Sequence, residues 1–291
     1  MKYLNQEITV TIVLYEENYE SVSRCLENLN SFKVIIIDNA GNSKLKEKVL
    51  KKFDIYKYVI NKNNLGFSKG VNQAIKLCDT GYILNIQSDC IIKEKDIFTL
   101  LESLKNYKDC IIVTPTFYNK DFTISYNGGP LPEKGLEIKA VSLEGDMCVE
   151  SCSTAAILFK KQDLLKLGLF DENLFIYFPD FEIGRRIKKS KKSIIQIFNS
   201  TSHHVHGDLK VKNLIKKIFF RNYYFTLDEL IYLYRTNAHH KKFKDLQKKV
   251  PKYFIKFISN IFILRIDKCT YCLSRILAYY KFKKFKADLV K

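Results

Sequence analysis

Short apolar runs alternate with amphipathic stretches over the first 115 residues of the chain. Between them, residues such as Val22, Leu26 and Leu29 recur at helical spacing. Strands and helices that alternate in this way form right-handed βαβ units with a parallel sheet. We therefore predict an α/β domain whose mostly parallel sheet is flanked by helices. Its first strands are Ile8–Leu14, Lys33–Ile37, Tyr56–Ile60, Tyr82–Ile86 and Cys110–Thr114.

The pattern changes after Pro115. Two segments flank a Gly-Gly-Pro turn and predict a hairpin, and a strand, two helices and two final strands follow. We place the end of the sheet domain at residue 207, and treat residues 208–291 as a helical tail. The predicted segments are Phe122–Asn127, Leu136–Val141, Ala155–Phe159, Lys161–Leu167, Asp180–Ser190, Ser193–Phe198 and Ser202–His206.

Polar residues follow two of the predicted strands directly. The fourth strand runs into Ser88 and Asp89, and the second runs into Asp38 and Asn39. Ligands of open α/β sheets bind in the crevice beyond the carboxyl ends of the strands, so we expect the site there. The alternative is ordinary turn chemistry, because Ser and Asp commonly follow strands.

Two common nucleotide-binding motifs are absent from the sequence. No G-x-G-x-x-G follows the first strand, and no G-x-x-x-x-G-K-[ST] occurs anywhere. Both a dinucleotide-binding Rossmann site and a P-loop are therefore disfavoured. Isolated carboxylates at strand ends suit contacts to a base or ribose, and they suit a hard divalent cation that bridges the two phosphates of a nucleotide diphosphate.

Six stretches resemble glycosyltransferase family 2, in the branch similar to bacterial rhamnosyltransferases, and they lie in matching order within residues 8–225. They are IIIDNAGN (35–42), NLGFSKGVNQAI (64–75), ILNIQSD (83–89), LGLFDENLFIYFPDFEIGRR (167–186), HHVHG (203–207) and RN (221–222). The resemblance implies a GT-A, Rossmann-like fold with a basic helical extension. It also implies an inverting transfer of a sugar from a nucleotide-diphosphate sugar to a hydroxyl of a glycan or lipid-linked oligosaccharide, in the synthesis of cell-surface polysaccharide.

On the donor side, the resemblance implies that Asp38 contacts the nucleotide base or ribose, and we expect Asn39 beside it to bind substrate. Gly66 and Asn72 are expected to shape the donor pocket. Asp89 stands where the family's metal-binding motif ends, here reduced to Ser-Asp.

The resemblance also implies a position near the metal and the diphosphate for two histidines. His204 and His206 alternate along a predicted strand and so share one face. With Asp89 they are our predicted ligands of Mg²⁺ or Mn²⁺. The alternative for the two histidines is a structural pair.

Asp180 matches the family's general base. The apolar run Phe175–Phe178 precedes it, so partial desolvation is expected to raise its pKa, while the helix N-terminus opposes that shift. A plain helix cap is the alternative. We expect Glu182 in the substrate site, where it supports Asp180 or pairs with Arg185 or Arg186.

Asp171 is expected either to orient the acceptor or to cap a turn. Two departures from the family pattern lie nearby. Pro179 replaces the usual Glu before the catalytic Asp, which puts the positioning of the base in question. The stretch 153–155 reads Ser-Thr-Ala in place of a Ser-Gly loop, which leaves the acceptor's identity open.

The net charge of +18 is concentrated in the tail. Residues 208–291 carry 17 Lys, 4 Arg and 6 acidic residues, a net charge of +15, whereas residues 1–207 carry +3. Basic and aromatic residues alternate there in a helical pattern, which favours an anionic membrane surface as partner. A solvated helix face is the second interpretation, and nucleic acid the least favoured, since no nucleic-acid-binding motif is present.

No apolar run reaches the ~18 residues that span a bilayer. The eight cysteines follow no disulfide framework and no signal peptide precedes the first strand. We therefore expect a cytoplasmic protein, peripheral on the inner face of the membrane. Two other functions remain open, a sugar nucleotidyltransferase and a non-catalytic protein that binds membrane or RNA.

Overall fold

The structure is a computed structural model, and it describes residues 7–125, 128–132, 144–205, 213–237 and 241–290. The chain forms two compact units. The sheet unit contains residues 1–171 and 179–210, and the helical unit contains residues 172–178 and 211–291. The predicted boundary at residue 207 and the predicted strand Leu136–Val141 both lie outside the described residues. The assignment of residues 172–178 to the helical unit was not predicted.

The sheet unit is built on one mixed sheet flanked by helices, which confirms the predicted α/β class. The strands are β1 (Ile8–Leu14), β2 (Lys33–Asp38), β3 (Lys57–Ile60), β4 (Tyr82–Ile86), β5 (Cys90–Ile92), β6 (Cys110–Tyr118), β7 (Met147–Val149), β8 (Ala156–Lys160) and β9 (Ser193–His204). The helices of this unit are α1 (Tyr19–Leu26), α2 (Ser43–Lys52), α3 (Gly66–Leu77), α4 (Glu94–Asn106), α5 (Lys161–Leu167) and α6 (Pro179–Lys189).

The strands lie in the order β3-β2-β1-β4-β8-β6-β9-β5, and β7 pairs with β9. Neighbours among the first four strands in this order are parallel, as is the pair β6 and β9. β8 enters antiparallel between β4 and β6. The predicted order of β1 to β4 along the chain is confirmed, and the short strand β5 was not predicted.

The sheet is buried on both faces, which explains the continuous apolar runs of its strands. In β2, Val34 and Ile36 point into a core shared with α1, α2 and α4. Ile35 and Ile37 point to the other face, into a core shared with α3, α5 and α6. Successive residues of a strand face opposite sides, so one run of isoleucines serves both cores.

The prediction of two final strands was wrong, because residues 193–204 form the single strand β9. Its register to β6 jumps between Pro115 and Thr116, where β9 passes from Ile197 directly to Thr201. The buried carboxylate of Asp96 in α4 accepts hydrogen bonds from the backbone N–H (2.8 Å) and the hydroxyl of Thr201. This jump in register is a β-bulge in β9. Because Asp96 binds the polar residues of the bulge, they do not end the strand.

The first predicted hairpin strand, Phe122–Asn127, was also wrong over its described part. Only one isolated bridge forms there, between Tyr118 and Ile124. The Asp121 carboxylate accepts hydrogen bonds from the N–H and the hydroxyl of Thr123, and a local turn of this kind competes with strand pairing.

The helical unit contains α7 (Leu214–Asn237), α8 (Lys241–Lys248), α9 (Val250–Phe262) and α10 (Ile266–Val290). Their core includes Tyr232 of α7 and Ile276 and Phe282 of α10, all less than 4% exposed. The helical pattern predicted for the tail is therefore confirmed in the described residues. Among these, no helix is both long and apolar enough to cross a membrane.

Gly184 provides a test of how α6 is seated on the sheet unit. A β-carbon at this helical position would collide with the carbonyl oxygen of Glu150, which is backbone and cannot rotate away. We expect Gly184→Ala to destabilise the fold by about 1–3 kcal/mol and to lower the melting temperature by several degrees. Gly81→Ala is the matched control, since a β-carbon there meets nothing within 4 Å. Equal melting temperatures of the two variants would contradict this packing.

Candidate active site

The carboxyl ends of β1, β2 and β4 share one edge of the sheet. Asp38 is the last residue of β2 and lies in register with Leu14 at the end of β1. Asp89 lies three residues beyond β4, on the other side of β1. Neighbouring strands are about 5 Å apart, so the sheet brings these two polar ends to one crevice.

Asp38 is fully buried and its carboxylate already has two partners. One oxygen accepts the N–H of Ala40 at 2.8 Å, and the other accepts the hydroxyl of Tyr58 at 3.1 Å. Burial, and then the charge and hydrogen bond of Asp38, raise the pKa of the Tyr58 hydroxyl, which stays protonated as a donor. These contacts fix the rotamer of Asp38 at the strand end.

Asn39 connects that strand end to the loop before α3. Its side-chain amide donates to the carbonyl of Gly66 at 3.0 Å, and its oxygen accepts from Asn61 at 2.9 Å. Gly66 has φ of +81°, a conformation that disfavours residues with a β-carbon. The loop is therefore held to β2 by a side-chain contact and shaped by a glycine.

Asn72 holds a second connection. Its amide donates to the carbonyl of Phe170 at 2.9 Å and accepts from the N–H of Phe170 at 3.0 Å. Both contacts are buried, and they fix the backbone immediately before Asp171. Asp171 itself is partly exposed.

Asp89 and His204 meet at the end of β4. The Nε2 atom of His204 lies 3.4 Å from a carboxylate oxygen of Asp89. The pairing of β5 with β9 causes this contact, because it aligns Cys90 with His204. One residue further along, the N–H of Val205 donates to the carbonyl of Asp89 at 2.8 Å. His206, the third predicted ligand, lies outside the described residues.

Donor atoms of Asp89, Cys90 and His204 all lie within 4.8 Å of one another. Burial, with the negative charge of Asp89, raises the pKa of the Cys90 thiol well above its usual value, which makes Cys90 a weaker candidate ligand than its two neighbours. A carboxylate with an imidazole remains, and this oxygen and nitrogen donor set suits Mn²⁺ better than Mg²⁺, which prefers oxygen ligands alone.

Glu17 is a neighbouring residue that sequence reasoning missed. It lies three residues beyond β1, and Ser88 is hydrogen-bonded to its carboxylate. Burial and the charge of Asp89 raise its pKa to about 7, and the Ser88 contact opposes this shift. The two acidic groups therefore repel each other, and a cation between them would relieve that repulsion. Its place directly after a strand was the only signal in the sequence.

Asp180 is the second residue of α6, and it also belongs to this edge of the sheet. It lies close enough to Cys152 for its charge to raise the pKa of that thiol, after the larger effect of burial. Cys152 precedes β8, whose first residue Ala156 pairs with Ile86 at the end of β4. The residue after β4 also contacts the residue before β8, since the N–H of Gln87 donates to the carbonyl of Ala155 at 2.8 Å.

The environment of the Asp180 carboxyl group shifts its pKa in two opposing ways. Desolvation raises its pKa to about 6, while hydrogen bonds from the backbone N–H groups of Phe181 and of Asp180 itself lower it. The direction and both causes match the shift expected from the sequence. The group is ionised at neutral pH, yet it binds a proton more tightly than an exposed aspartate.

Glu182 pairs with Arg186, one of the alternatives predicted for it. The guanidinium donates to both carboxylate oxygens at 2.7 Å, and it also donates to the backbone carbonyls of Leu167 and Leu169. The bidentate contact lies within α6 and fixes the guanidinium, and its bonds to the two carbonyls tie α6 to the end of α5. Glu182 thereby stabilises the helix that carries Asp180.

Within the helical unit, Asp228 of α7 holds the segment that leads to Pro179 along the chain. Its buried carboxylate accepts the N–H groups of Phe175, Ile176 and Tyr177 at 2.9–3.0 Å. Three bonds to one carboxylate fix this backbone more firmly than neutral acceptors would. This contact could not be predicted from local sequence patterns, because the partners lie about 50 residues apart.

Comparison with known proteins agrees with this geometry. The model of the family described as Glycosyl transferase family 2 matches residues 9–163. Rhamnosyltransferase WbbL of Escherichia coli (strain K12) is 22% identical over an alignment of 229 residues that covers 68% of this chain and 84% of that protein. Both findings confirm the resemblance described above.

A solved structure confirms the fold. The mannosyltransferase PcManGT from Pyrobaculum calidifontis, in complex with GDP-Man and Mn²⁺, superposes with a TM-score of 0.56 at 13% identity. The match covers 95% of this chain and 86% of that chain. The predicted GT-A type is therefore confirmed.

The cation site can be tested by titration with Mn²⁺. We expect Asp89→Ala to weaken Mn²⁺ binding at least about tenfold and to abolish turnover while the fold survives, because a hard ligand is lost. Asp109→Ala is the control, as it removes an exposed carboxylate that pairs with Lys192. Calorimetry measures binding, and circular dichroism checks the fold. Full activity of the wild-type enzyme in the absence of divalent ions would exclude a metal from the reaction.

Proposed function

The chain belongs to glycosyltransferase family 2, and from this membership we propose an inverting enzyme. It moves a sugar from a nucleotide-diphosphate sugar to a hydroxyl of a glycan or lipid-linked oligosaccharide, in the synthesis of cell-surface polysaccharide. The observation that carries this proposal is the carboxyl group of Asp180, whose pKa is raised and which lies near Cys152, in the segment that leads into β8 beside β4.

Asp180 acts as the general base. Its carboxylate takes the proton of the acceptor hydroxyl as the oxygen attacks the anomeric carbon, and the nucleotide diphosphate leaves from the opposite face. Such a base contributes about 10²–10⁴-fold to the rate. Because α6 is held by Gly184 against Glu150 and by the Glu182–Arg186 pair, the carboxylate keeps a fixed direction.

Asp89 and His204 would hold the cation, with His206 as the third proposed ligand. A Mg²⁺ or Mn²⁺ ion bound there would neutralise the charge that develops on the diphosphate. The solved mannosyltransferase, which contains GDP-Man and Mn²⁺, supports both the metal and a nucleotide-sugar donor. Glu17 lies beside Asp89, and a cation bound there would favour the ionised form of its carboxyl group.

The donor nucleotide lies against the ends of β1 and β2. Asp38 and Asn39 contact the base or ribose there, and Gly66 and Asn72 shape the pocket wall. The internal hydrogen bonds of Asp38 and Asn39 fix the backbone at these strand ends, and a preorganised pocket wall loses little freedom on binding. Asp171 orients the acceptor, and Glu182 supports the site through Arg186.

Residues 208–291 form a basic domain that places the enzyme at an anionic membrane surface. This proposal follows from the charge of +15 in these residues against +3 in residues 1–207. A lipid-linked acceptor would be met at such a surface. The location proposed for the enzyme is therefore peripheral, on the cytoplasmic face of the membrane.

The assignment of the base is tested by two conservative variants. We expect Asp180→Asn to lower kcat by about 10³-fold with little change in nucleotide-sugar affinity, because the amide keeps its size but accepts no proton. Its melting temperature at neutral pH should equal or exceed that of the wild type, since a partly desolvated charge is removed.

Glu182→Gln should cost far less activity, because its effect passes through Arg186. Steady-state kinetics and donor binding are measured for both variants with the same preparation of donor and acceptor. An inactive Glu182→Gln beside an active Asp180→Asn would exchange the two roles. Full activity of both would place the base elsewhere, with Asp171 as the next candidate.

A further inference from the structure

The turn between α9 and α10 exposes a run of large apolar side chains. We call Phe262, Ile263, Leu264 and Ile266 the apolar elbow. Each of the four is between 64% and 84% exposed. Large apolar side chains exposed side by side mark an interaction surface, whereas single ones are ordinary.

The elbow continues along one face of α9. Exposed apolar residues recur there at helical spacing, so they form a stripe that ends at the elbow. Most of this helix face is uncovered by the rest of the helical unit. The residues of the stripe are Phe254, Ile255, Ile258 and Ile261.

The backbone of the elbow is that of a helix C-terminal cap. Leu264 has φ of +53°, and the N–H groups of Leu264 and Arg265 donate to the carbonyls of Ile261 and Asn260, both at 3.0 Å. The cap therefore accounts for the conformation of Leu264, but not for its side chain, which is 84% exposed.

A basic cavity of about 620 Å³ lies beside the first turn of α10, within the helical unit. Lys217 and Arg221 of α7 and Lys268 and Arg275 of α10 line it. Among the lining residues that the structure describes, Asp267 is the one acidic residue, and Arg265 pairs with it at 3.3 Å. The cavity therefore carries an excess of positive charge, which suits an anion with several oxygens.

Aromatic contacts fix one of these basic groups, the guanidinium of Arg275. The guanidinium of Arg275 lies 4.6 Å from the ring centre of Tyr271 and donates to the hydroxyl of Tyr253 at 3.2 Å. Burial raises the pKa of Tyr271, so its hydroxyl remains a hydrogen-bond donor at the cavity. Hydrogen-bond donors that are already fixed in this way favour the binding of a discrete phosphate group over general attraction to a negatively charged surface.

We propose that the apolar elbow and the basic cavity form one binding site for an anionic phospholipid surface. The elbow enters the acyl-chain boundary, and the cavity holds a headgroup phosphate. The two features are adjacent in the chain, since Asp267 and Lys268 follow Ile266 directly. Lys252 and Lys256 lie exposed on α9 and add charge attraction. This inference rests on the proposed function, whose acceptor includes lipid-linked glycans.

Flotation of the full chain with vesicles tests the site without turnover. Vesicles of phosphatidylglycerol and phosphatidylethanolamine should bind the wild type, and phosphatidylcholine vesicles should bind it weakly. We expect Phe262→Ser to lower the partition coefficient about tenfold, because the variant lacks an aromatic side chain that the membrane would bury. Phe122→Ser is the matched control, since Phe122 is 73% exposed in the sheet unit, and it should bind as the wild type does.

Charge reversal separates the cavity from general attraction. We expect Lys268→Glu to lower partitioning about tenfold and Lys284→Glu, on the same helix but ~24 Å further along, about twofold. Equal losses for the two variants would overturn the cavity part of the proposal. If the cavity binds inorganic phosphate as tightly as it binds vesicles, at matched ionic strength, its ligand is a free anion. This result would overturn the proposal that the cavity binds a membrane surface.

Two further measurements separate this inference from the catalytic proposal. Asp180→Asn should bind vesicles like the wild type, so an inactive enzyme leaves the lipid site intact. Conversely, a chain that transfers sugar but ignores anionic vesicles would overturn the lipid site and leave the catalytic proposal standing. A wild-type dimer that Phe262→Ser converts to a monomer would show that the elbow is a subunit interface, against the proposal.

Discussion

The desolvation of the Asp180 carboxyl group is the constraint on which the candidate site depends. It raises the pKa to about 6, so the group holds a proton about a hundredfold more tightly than an exposed aspartate. This tuning has a cost in stability. The unfolded chain gives up the proton near pH 4 and the folded chain near pH 6, so stability falls as pH rises through that window. The apolar contacts of Ile183 and Ile187, on the same helix, offset the cost.

The mixed sheet explains how separate parts of the chain supply one site. Parallel strands bring Asp38 and Asp89 to one edge, because every parallel strand ends there. The antiparallel strand β8 begins at this edge, and it brings the segment of Cys152 next to Asp180. A wholly parallel sheet would start that strand at the opposite edge, far from the carboxylates.

Local signals in the sequence predicted much of this structure, and long-range contacts account for the rest. The apolar runs of β1 to β4 and the polar residues after them were sufficient to place Asp38 and Asp89. The bulge of β9 was missed because its polar residues are satisfied by Asp96, about 100 residues away in the chain. Glu17 and Asp228 were missed for the same reason, since each acquires its role from a partner distant in sequence.

The pH dependence of kcat, at saturating donor, acceptor and Mn²⁺, tests the central claim most directly. Saturation is checked at each pH, because protonation weakens the binding of metals by imidazole and carboxylate. If Asp180 is the base, kcat rises tenfold per pH unit up to about pH 6 and is constant above it, since only the ionised carboxylate accepts a proton. A kcat that stays constant from about pH 5 to pH 8 would contradict the account.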